Sequence, residues 1–108
     1  MTPLVLDLRP SPAGPVLHPA GEIDATNLDE LASALDRALA MGGPVTVELT
    51  EVPFLDGRAL DLLMSAYVQA VMQGDDLRLA SPRPKVRRLL EITGARLPVC
   101  EATEVRAA

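Results

Sequence analysis

The chain has 108 residues, a net charge of −5 and a pI near 4.7, with 48% hydrophobic but only 2% aromatic residues. That length suits one domain, and the acidic balance argues against a general attraction to nucleic acid or to an anionic membrane. Phe54 and Tyr67 are the sole large rings, so the core must be Leu, Val, Ile, Ala and Met, and base stacking on single strands lacks its platforms.

The opening MTPLVLDLRPSPAG has no basic start followed by an apolar run, so no secretory signal is expected. Within it, residues 4–8 (LVLDL) alternate as a strand, and 9–14 (RPSPAG) form a Pro/Gly turn. Residues 15–23 (PVLHPAGEI) read as a second strand returning antiparallel. Pro19 counts against that reading because it cannot donate to a ladder, and Gly21 marks the strand's stop. A helix over 27–41 follows, with Leu28, Leu31, Ala32, Leu35, Ala38 and Leu39 at helical spacing. Thr26 suits its N-cap and Asp29 resembles the far half of a capping box; Gly42 and Gly43 end it.

Residues 44–49 (PVTVEL) predict a strand with Val45, Val47 and Leu49 on one face and Thr46, Glu48 and Thr50 on the other. After a turn at Asp56-Gly57, Leu60, Leu63, Met64, Tyr67 and Val71 mark the buried stripe of a second helix, ended by Gly74. Residues 77–81 (LRLAS) form another strand. Ser81 as N-cap and Pro82 at the first helical position predict a third helix, carrying Val86, Leu89, Leu90 and Ile92 and stopped by Gly94. Residues 97–100 (LPVC) predict a last strand, and 101–108 a short helix or frayed tail. The order β-β-α-β-α-β-α-β implies an α/β fold with a mixed sheet: an antiparallel hairpin, then strands made parallel by helical crossovers.

Chemistry-bearing motifs are sparse. His18 is the only histidine and Cys100 the only cysteine, too few for a His/Cys zinc site or an internal disulfide. His18 within a strand reads as a packed or half-exposed strand residue. No dinucleotide, Walker A or nucleophile-elbow signature is present. Asp24, Asp56 and Asp61 are held apart from the other carboxylates because strand-end turns bring them toward one edge of the sheet. No apolar stretch reaches the ~20 residues that cross a bilayer. The basic run 83-RPKVRR-88 reads either as a solvated face complementing Asp75, Asp76 or Glu91, or as a phosphate or headgroup site. The expectation is a soluble, cytoplasmic binding module, not an enzyme, with no cofactor, no metal, no nucleic-acid partner and no membrane insertion.

Three segments together resemble the STAS domain, the fold of bacterial anti-sigma-factor antagonists: GEIDATNLDEL (21–31), VELTEVPFLDGRAL (47–60) and LASPRPKVRRLLEITGA (79–95). The family pattern has a G-E-hydrophobic-D turn after the second strand, a hydrophobic-D-S-S-G-L opening to the second helix, and a third helix stopped by Gly. The match runs from about residue 4 to 100 in the right order. It implies a single STAS domain over 1–108, with a four- to five-stranded, mostly parallel sheet and helices mainly on one face.

The resemblance also implies a mechanism. Such antagonists bind an anti-sigma factor that is a kinase-like ATPase, and so free a sigma factor for RNA polymerase. The kinase phosphorylates a serine at the start of the second helix, adding about −1.5 to −2 charge to the interface. On that pattern the partner surface comprises Asp24, Thr26, Asn27, Asp56, Gly57, Arg58, Ala59, Leu60 and Asp61. This chain departs from the family at the switch: Asp-Ser-Ser-Gly-Leu becomes Asp56-Gly57-Arg58-Ala59-Leu60, and the phospho-acceptor position is Arg58.

A cation at a helix start opposes the helix dipole at a cost of about 0.3–1 kcal/mol. Three readings of Arg58 stand: a tolerated side chain paired with Asp61, a rebuilt interface facing a partner's acidic group, or a small-anion or nucleotide site. Thr50 and Thr26 are possible replacement phospho-sites, though both also suit capping or strand roles. Two further functional classes stay open: a STAS subunit seated on the ATPase of an ABC-type lipid-transport complex, and a nucleotide-binding sensor.

Overall fold

The computed structural model describes residues 3–100. Five strands and three helices alternate as β1 (Val5–Arg9), β2 (Val16–Ala20), α1 (Leu28–Ala40), β3 (Val45–Glu48), α2 (Gly57–Met72), β4 (Leu77–Ala80), α3 (Pro84–Thr93) and β5 (Val99–Cys100). The element order is the expected one. The tail at 101–108, anticipated as a helix or frayed end, lies outside the described residues.

The sheet order is β1-β2-β3-β4-β5, with β1 antiparallel to β2 and every other pair parallel. Each parallel step moves one strand in the same direction, and right-handed crossovers then put α1, α2 and α3 on one face. Beneath them, Leu17, Val47 and Leu79 stand in register and are fully buried. Each such side chain contributes about 1.5–3 kcal/mol through removal from water. The opposite face carries Asp7, Arg9, His18, Thr46, Glu48 and Arg78, which follow from the same registers. Its contacts are polar: Arg9 Nε lies 2.7 Å from Asp7 Oδ2, and His18 Nε2 lies 3.0 Å from Glu51 Oε2 without hydrogen-bond alignment.

Pro19 sits inside β2 although β2 has neighbours on both sides. Pairing with β3 covers Val16 and Leu17 only and resumes as a single bridge from Ala20 to Glu51. Pro19 falls in that gap, where no donor is required. Gly14 is required by a close approach: its φ is +114°, and a Cβ there would stand 2.1 Å from the Pro44 carbonyl oxygen.

Four local expectations are corrected. The N-cap of α1 is Asn27, not Thr26. In α2 the buried stripe is Ala59, Leu60, Leu63, Ala66 and Ala70, whereas Val71 is 49% exposed. Alanines on the inner face let the helix lie close to the core, and with Ala70 facing inward Val71, about 100° further round the helix, faces outward. The start of α3 is Arg83 as N-cap with Pro84 in the first turn; Ser81 instead takes φ +48° in the preceding bend. Finally, Ile92 is 71% exposed, and α3 buries only Val86 and Leu90 fully. Gly94 ends α3 in the left-handed conformation, as expected.

Candidate functional site: the strand-to-helix turns around Arg58

Two turns meet where β2 runs into α1 and β3 runs into α2. The backbone joins them: Ile23 N–H donates to Phe54 C=O at 3.0 Å and Asp56 N–H donates to Ile23 C=O at 3.1 Å. Ile23 and Leu55, at 1% exposure each, anchor the pairing in the core. Asp24 and Asp56 therefore emerge side by side, one residue beyond the bridged pair.

Within the first turn, Asp24 and Asn27 hold the loop. Asp24 Oδ1 accepts from the Thr26 N–H at 2.9 Å and from the Thr26 hydroxyl. Asn27 Oδ1 accepts from the Asp24 N–H and its Nδ2 donates to Glu22 C=O, each at 3.0 Å. Asn27 thus braces the loop behind it and makes no side-chain bond to the helix it precedes. The Thr26 hydroxyl and N–H together hold the Asp24 carboxyl below the ordinary aspartate pKa.

In the second turn Asp56 is the N-cap of α2, and its Oδ1 accepts from the Ala59 N–H at 3.0 Å. Gly57 and Arg58 are exposed at the first two helical positions, and Asp61 is exposed one turn on. Ala59 and Leu60, expected on the partner surface, are 0% and 4% exposed because the helix's inner face begins at once after the cap, though Leu60 still lines the groove beside Arg58. No ion pair joins Arg58 to Asp61 or to any other described residue, so the Asp61 pairing in the first of the three readings of Arg58 is not formed. The Asp56 carboxylate already occupies the Ala59 N–H, so that backbone donor is taken and the Arg58 side chain is the group left to meet an anion from outside.

Arg58 divides two grooves. On one side it faces the end of α3, with Met64, Thr93, Gly94 and Ala95 in the lining. On the other it faces α1, with Leu28, Asp29, Ala32 and Ser65. Asp24, Thr26 and Asn27 open into a different groove shared with Pro3, Leu4, Glu22 and Glu30. The predicted residues are therefore joined through the backbone but turn toward different openings. Leu28, Asp29, Ala32 and Thr93–Ala95 are legible in the sequence only as helix residues or stops and not as site residues, since only the packing of α1 and α3 beside α2 places them at Arg58. Among the described residues no cluster of His, Cys, Asp and Glu could hold a metal, and no helix is long and apolar enough to cross a membrane.

With this geometry in view, comparison with family models matches the STAS domain over residues 4–104. The chain belongs to the STAS domain family. No curated protein matches it by sequence. Among solved structures, an anti-sigma factor antagonist from Mycobacterium paratuberculosis superposes with a TM-score of 0.84 at 20% identity, covering 94% of this chain and 89% of that one. An anti-sigma-factor antagonist (STAS) domain protein from Planctomyces limnophilus gives 0.80 at 16% identity, covering 94% and 93%. The Bacillus cell fate determinant SpoIIAA in its phosphorylated form gives 0.75 at 17% identity, covering 95% and 96%. At these identities the likeness shows the fold, a five-stranded mixed STAS sheet with three helices. In this STAS domain the segment from Asp56 to Asp61 contains no hydroxyl side chain.

Proposed function

We propose that this STAS domain is a protein-binding regulator of the anti-sigma-factor-antagonist kind. It acts in the cytoplasm by docking on a kinase-like ATPase anti-sigma factor and releasing a sigma factor, without the serine switch. The observation that carries this reading is Arg58: an exposed cation on a capped, rigid helix start, with no ion pair to a described residue and a groove on either side.

A cation held at an unfavourable helix position for no internal gain is explained by an external carboxylate or phosphate partner. The surface offered comprises Gly57, Arg58 and Asp61, flanked by the braced Asp24–Asn27 turn. Regulation then rests on abundance or on a signal acting upon the partner, because arginine cannot be phosphorylated by a serine kinase. Asp56 and Asn27 serve this surface by fixing its backbone.

Affinity purification of the tagged protein from its own cell, beside Arg58→Ser and Arg58→Glu, tests the reading. Recovery of an ATPase-domain anti-sigma factor with the wild type, and its loss with Arg58→Glu, is expected. Incubation of the purified pair with ATP should label Arg58→Ser and leave the wild type unlabelled. Recovery of ABC-transporter subunits instead would move the protein to the lipid-transport class. Efficient phosphorylation of the wild type near the start of α2 would sink the proposal.

A further inference from the structure

Strand β1 is an edge of the sheet, and the hydrogen-bonding direction of its backbone follows from β2. Pro15 C=O accepts from Thr46 N–H on β3, and Gly21 N–H donates to Glu51 C=O on the same side. Backbone groups alternate direction along a strand, so the odd positions of β2 face β3 and the even positions Val16, His18 and Ala20 face β1. Their partners in register are Arg9, Asp7 and Val5. Leu6 and Leu8 therefore turn their N–H and C=O groups outward, where no described residue pairs with them. An edge of this kind is a template for another strand.

We propose that this edge is a homodimer interface, in which β1 of two copies pairs antiparallel about a two-fold axis through Leu8 and makes one continuous sheet. Charge selects this register. A two-fold at Leu8 sets Asp7 of each copy opposite Arg9 of the other, whereas a two-fold at Asp7 would place the two Asp7 carboxylates face to face. Asp7 and Arg9 already stand 2.7 Å apart on one strand, so the pairing completes an alternating ring of four charges from two existing ion pairs. Leu8 exchanges bonds with its own counterpart, and Leu6 N–H meets the Pro10 carbonyl of the second copy. Pro10 lacks a donor and ends the ladder there.

The helix layer agrees with this arrangement. Leu4 and Leu6 are only partly buried and share a groove with Glu30, Ser33 and Arg37 of α1. A two-fold perpendicular to the sheet keeps both helix layers on the same side and runs the two α1 helices antiparallel across the seam. The acidic end of each flank, at Glu30, then lies toward the basic end of the other, at Arg37. The half-covered leucines lose their remaining water at the same seam.

The test is sedimentation equilibrium of the full chain over the micromolar range, with amide hydrogen exchange followed by NMR. A dimer is expected, with the Leu6 and Leu8 amides protected as concentration rises. Arg9→Asp should weaken association roughly tenfold by setting like charges opposite, and the exchange Asp7→Arg/Arg9→Asp should restore it. Thermal unfolding of each variant checks that the monomer fold is kept. A chain that stays monomeric overturns the proposal. So does a dimer in which Leu6 and Leu8 exchange freely, or one indifferent to Arg9→Asp.

Discussion

Asp56 Oδ1 accepts the Ala59 N–H at 3.0 Å, so one carboxylate both caps α2 and stands next to the exposed cation Arg58. Asp56→Ala should cost about 1 kcal/mol, within the range for loss of an N-cap side chain. For a domain of this size that is a fall of roughly 4–8 °C in Tm. Calorimetry checks it, and an unchanged Tm would mean that the cap is not formed in solution.

Arg58→Glu should act in opposite directions on stability and on binding. Replacing a cation near the N-terminus with an anion gains about 0.3–1 kcal/mol for each of the two charge changes at low salt. Chemical denaturation should show a higher midpoint that falls back as salt is added. Loss of the partner in the same variant would show that Arg58 is kept for contact at the expense of the fold.

The Asp24 carboxyl is held below its ordinary value of 3.8 first by the Thr26 hydroxyl and then by the Thr26 N–H, against a smaller opposing effect of desolvation. A depressed folded-state pKa contributes stability that is present above the unfolded value and lost as pH falls through the folded one. Protonation should therefore loosen the turn only below about pH 3.8. Thr26→Val removes the hydroxyl but keeps the N–H, so the Asp24 pKa should rise part of the way back. Carboxyl carbon chemical shifts followed through an acid titration report this directly. An unmoved titration would show that the hydroxyl plays no part.

Gly14→Ala should be among the costliest changes outside the core. The new Cβ would lie 2.1 Å from the Pro44 carbonyl oxygen on a backbone whose φ is +114°. The hairpin must shift away from β3 or the turn must be rebuilt, and we expect a loss of about 2 kcal/mol or more. At Gly42, also at positive φ but with no atom within 4 Å, the same substitution carries backbone strain alone and should cost less. Urea denaturation of the pair separates contact from strain.

The amphipathic period of α1, the alternation of β3 and the glycine stops at Gly42, Gly74 and Gly94 are local properties, legible from neighbouring residues alone. They were sufficient for the element order, and three spaced segments added the family. Boundaries and faces were less legible wherever two local signals competed. Ser81-Pro82 and Arg83-Pro84 both resemble helix starts, and the bend at Ser81 decided for the second. Val71 and Ile92 are hydrophobic at plausible spacing, yet the close fit of Ala66 and Ala70 against the core leaves Val71 outside. Alanine carries little hydrophobic signal in a sequence, although it sets how near a helix can approach.

The chain by itself thus determined which elements form, that a cation, Arg58, stands at the start of the second helix, and that Asp24 and Asp56 follow strands. Tertiary structure decided the rest, because grooves and edges are made by residues distant in sequence. Packing of α1 and α3 beside α2 places Leu28 and Thr93 at Arg58. The pairing of Ile23 with Leu55 sets the two turns side by side. The register of β1 on β2 turns the Leu6 and Leu8 backbone outward. Such relations depend on register and helix placement, which many weak contacts fix together and no single stretch of sequence encodes.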